Sequence, residues 1–99
     1  MSAREYLAVA EDYLAATENN VRAQLPNPAV YAAVHAVICA NDAVCIALIG
    51  ERSLARTHGE AVGLLKRACR GTPYEGSVAA RARQLEDILS LKTEAEYSG

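Results

Sequence analysis

The sequence predicts an all-α fold, an up-down four-helix bundle in a single domain over residues 1–99. Three observations carry that expectation. Apolar residues recur every three or four positions in four separate blocks, Pro- and Gly-containing clusters separate the blocks, and no alternating strand pattern occurs between them. With neither Trp nor Phe, the core falls to Leu, Val, Ile, Ala and five Tyr. Small side chains let helix axes approach closely.

The first helix opens on Ser2-x-x-Glu5, a capping box that satisfies two backbone donors reciprocally. Leu7, Ala10, Leu14, Thr17, Val21 and Leu25 then step by three or four residues and form the expected inward stripe, about 35 Å long, before Pro26 ends it. Asn27 is the expected cap of the second helix and Pro28 its first turn. That helix, over residues 28–49, is apolar nearly all round. One stripe is Val30, Val34, Val37, Asn41, Val44 and Leu48; another is Tyr31, His35, Cys39, Asp42, Ile46 and Ile49. A helix with two apolar faces is either the centre of its bundle or meets a second subunit. The second arrangement is the one expected here, with one of the two stripes at the interface.

Gly50 reads as the residue that closes this helix. A short basic loop follows over residues 51–56, and Thr57-x-x-Glu60 forms another capping box. The third helix turns Ala61, Leu64, Leu65 and Ala68 inward and carries Lys66, Arg67 and Arg70 at its end, where the helix dipole favours cations. Residues 71–76 read as a turn. The fourth helix, over about residues 77–97, has Val78, Ala82, Leu85, Ile88, Leu89 and Ala95 as its stripe.

The net charge of −2 excludes a wholesale polyanion binder, but it hides a pattern: −3 over residues 1–50, +4 over 51–83 and −3 over 84–99. Cys39, Cys45 and Cys69 are odd in number and lack metal-ligand spacing. Cys39 and Cys45 lie roughly 240° apart around a helix and cannot bridge on it. They read as reduced thiols of a cytoplasmic protein. The charged start at Arg4 and Glu5 does not read as a signal peptide. The apolar run from Ala29 to Ile49 is long enough to span a bilayer. His35, Asn41 and Asp42 inside it favour a buried helix and no membrane.

Asp42 is the most informative of these residues. A buried carboxylate needs a partner, and the nearest concentration of positive and ionisable groups is Arg52, Arg56 and His58 after Gly50. Arg52 and His58 are the candidate catalytic pair. In metal-independent RNA cleavage an Arg holds the phosphate while a His moves the 2′-hydroxyl proton. The same His58 equally serves as a structural group at a helix start. His35 lies about 10 Å from Asp42 along the helix and reads as a core or interface histidine. His35, Asp42 and His58 are not spaced like metal ligands, so no metal and no cofactor are expected. Lys66, Arg67, Arg70, Arg81 and Arg83 form a candidate basic edge for RNA or a nucleotide, although without interleaved aromatics such an edge is commonly a solvated face.

The string Tyr31 to Ala43 with His35, Asn41 and Asp42, then Leu48-Ile49-Gly50-Glu51-Arg52, then Thr57-His58 through Leu65, resembles the HEPN family of small helical-bundle domains. The closing residues Leu91 to Tyr97, with Ala95 before Glu96 and Tyr97, resemble that family's ending, and the similarity spans about residues 28–97. The resemblance implies a homodimer, a toxin–antitoxin or other defence setting, and a protein partner such as a nucleotidyltransferase. Active members are RNases with an Arg–x4–6–His motif on a late helix. Here residues 77–99 hold no His, and the Arg52–His58 match lies before the third helix, where the family has a structural Thr-His. The expectation is therefore a non-catalytic dimeric interaction module. The alternatives are an RNase using Arg52 and His58, or a weak RNA- or nucleotide-binding module using the 66–83 edge.

Overall fold

The computed structural model describes residues 1–52 and 58–97, with side chains for residues 1–52 and 60–87. Over these residues the chain is all-α: α1 (Ala3–Arg22), α2 (Pro26–Ile49), α3 (His58–Cys69) and α4 (Val78–Tyr97), with one 3-10 turn at Glu75–Ser77. No strand occurs among the described residues.

α1 starts as its residues dictate. The Glu5 backbone N–H donates to Ser2 Oγ and the Ser2 N–H to Glu5 Oε1, both at 3.2 Å. The Ser2 backbone N–H first, and then the Ser2 hydroxyl, hold the Glu5 carboxyl below the usual carboxylate range. The inward face of α1 differs from the expected stripe. Leu7, Leu14, Val21 and Leu25 are 48%, 53%, 62% and 48% exposed. Of that stripe only Ala10 is buried and Thr17 half-buried, and Tyr6, Val9, Tyr13 and Ala16 are half-buried beside them. The physical reason is packing distance. Ala and Thr steps, flanked by Tyr rings, let α1 lie close on α2, and the Leu stripe sits one helical position off that seam.

The α1–α2 connection also departs from expectation. α1 ends at Arg22, and Gln24 takes a left-handed backbone (φ 60°). Leu25 N–H donates to Asn20 O and Gln24 N–H to Val21 O, the paired bonds of a Schellman turn. Gln occupies the place where Gly is usual, so no glycine marks this end. α2 then begins at Pro26, with Leu25 as an N-cap that makes no side-chain bond. The expected cap at Asn27 is thus inside the helix, and Pro26 takes the first-turn role. Gly50 closes α2 as anticipated, with φ 70° and its N–H on Ile46 O at 2.9 Å.

α2 is the hub: α1 packs along it, and α3 and α4 pack on it and on each other. The Tyr13 ring meets His35, while Tyr6 meets Arg52 just beyond the end of α2, so α1 and α2 run antiparallel. Under α3 and α4 the core is Ala61, Leu65, Cys69 and Leu85, with Val37, Ile38, Val62 and Val78 against it. Ala61, Leu65, Ala68, Ala82 and Leu85 point inward as the stripes require, with Leu64 half-buried. The side chains of Ile88, Leu89 and Ala95 lie outside the described residues. By length and composition α2 could cross a membrane. Here it packs against three helices and buries Asp42.

Candidate functional site

Asp42 is 5% exposed on α2, the one charged residue among the buried ones described. Its charge reaches the neighbouring thiols. Burial first, then the Asp42 carboxylate, pushes Cys45 up to about 11, and the same two causes raise Cys39. Cys45 has no exposed surface and Cys69 is buried, so both act as small apolar groups in the core. Arg56 lies outside the described residues. His58 begins α3, but its side chain lies outside them too.

Arg52 is exposed, with its guanidinium 5.7 Å from the centroid of the Tyr6 ring. This cation–π geometry sets Arg52 against the start of α1. His35 is half-buried between two tyrosines: its ring centroid is 5.3 Å from Tyr13, nearly parallel, and 4.3 Å from Tyr31, tilted by 48°. His35 thus meets α1 through Tyr13, while Tyr31 is 50% exposed.

The basic residues do not converge on one face. Lys66, Arg67 and Arg70 are exposed around the end of α3, and Arg67 is bound to Glu51 at 2.9 Å, an exposed pair of little energetic weight. Arg81 and Arg83 sit two residues apart on α4, roughly 200° around its axis. Arg81 donates to Gln84 Oε1 at 3.2 Å. No cluster of three metal-ligating side chains occurs among the described residues.

What the chain does assemble is an open groove. It has a volume of about 640 Å³ and runs along the C-terminal half of α2, walled by Leu65 and Cys69 of α3 and by Val78, Arg81 and Leu85 of α4. Its floor is Val37, Ala40, Asn41, Val44, Ala47 and Leu48, and Tyr74, Ser77 and Gln84 complete the rim. Val44 and Leu48 are 41% and 38% exposed. The Val34/Asn41 stripe is thus split: Val34 is buried within the chain, and its continuation from Val37 onward is left open. Sequence reading missed the groove's far wall. The signal that marks its floor is Val37, Ala40, Val44 and Ala47, a 3-4-3 spacing of alternating branched and small residues, like one side of a two-helix seam.

Comparison of the chain with protein-family models, with curated proteins and with solved structures gives no significant match.

Proposed function

We propose that this chain is a non-catalytic helical interaction module of HEPN type, an up-down four-helix bundle that pairs with a second copy through the open face of α2. The observation that carries the reading is that face: an apolar floor from Val37 to Leu48 rimmed by Tyr74, Ser77, Arg81 and Gln84. An apolar centre inside a polar rim is the anatomy of a protein–protein interface. The helix that remains apolar on the side away from α1 supports the same conclusion.

A non-catalytic role is supported by Arg52, which engages the Tyr6 ring on the protein's own surface, and by a late helix without His. A toxin–antitoxin or other defence setting follows from the family resemblance, with a nucleotidyltransferase-type partner bound to the paired module.

Sedimentation equilibrium from one to one hundred micromolar tests the pairing. The wild type is expected to be dimeric in the upper part of that range, and Val44→Glu to be monomeric throughout, because the glutamate places an unpaired charge at the apolar centre. A wild type that stays monomeric throughout defeats the reading. RNA incubated with the protein without metal is expected to remain intact, and cleavage lost in His58→Ala would replace the module with a nuclease.

A further inference from the structure

We draw no further inference here: the strongest candidate, the open apolar groove along the C-terminal half of α2 between α3 and α4, belongs to the face already described, and nothing in the structure shows what covers it.

Discussion

Asp42 illustrates how one side chain sets conditions for its neighbours. A carboxylate at 5% exposure persists only because the surrounding structure compensates its lost hydration. Asp42→Ala leaves those compensating groups stranded and is expected to cost about 1–3 kcal/mol in denaturant melts. Melts that match wild type would mean that nothing depends on the carboxylate. The same charge acts on Cys45. Its thiol is raised from 9.0 to about 11 in the folded chain. A raised folded value means that the stability held by the neutral thiol is complete below the unfolded value and is lost as pH climbs through the folded one. The advantage of wild type over Cys45→Ala should therefore narrow between pH 9 and pH 11, as followed by paired urea melts.

At the scale of the helix, α1 teaches the difference between apolar spacing and inward direction. Leu7, Leu14 and Val21 repeat every seven residues and look like a core stripe, yet all three are exposed. The face that packs is offset by about one position, with Tyr6, Val9, Tyr13 and Ala16 half-buried beside Ala10. Leu14→Lys is accordingly expected to change stability by no more than about 0.5 kcal/mol. Tyr13→Ala, which removes a ring stacked on His35, is expected to cost about 2–3 kcal/mol. Thermal melts of the two variants decide between the stripes. Periodicity made the existence of α1, α3 and α4 legible, and Gly50 marked the end of α2. The end of α1 was not legible, because its left-handed residue is Gln24 and not a glycine. No sequence rule signals a Schellman turn built on Gln.

For the molecule as a whole, the all-α class could be read from the chain, whereas the groove could not. Three helices contribute to it, and Tyr74, Ser77 and Gln84 arrive from residues with no apolar spacing at all. The burial of Asp42 was legible because a charge set inside an apolar run is carried into the core with the residues that flank it. The basic edge looked like one feature in the sequence only because sequence order hides the angular separation of Arg81 and Arg83. The arrangement around α2 also predicts uneven protection. Amides in the middle of α2, packed by helices on more than one side, should exchange more slowly than those of α1, which packs mainly on α2. Native-state hydrogen exchange reads this directly, and equal protection in both helices would show that the chain opens only as a unit.

That dependence of every helix on α2 has a bearing on biosynthesis. The contacts between α1 and α2 join neighbouring stretches of chain through a three-residue connection, so the hairpin closes quickly and needs nothing downstream. The apolar surface that α3 and α4 later cover must wait until they emerge from the ribosome, which adds residues at about 5–20 per second. During that interval the nascent chain presents Val37, Ile38 and the groove floor bare to solvent. A ribosome stalled soon after Gly50 has emerged would hold a hairpin ready for a chaperone, or for the hairpin of the next ribosome on the same message.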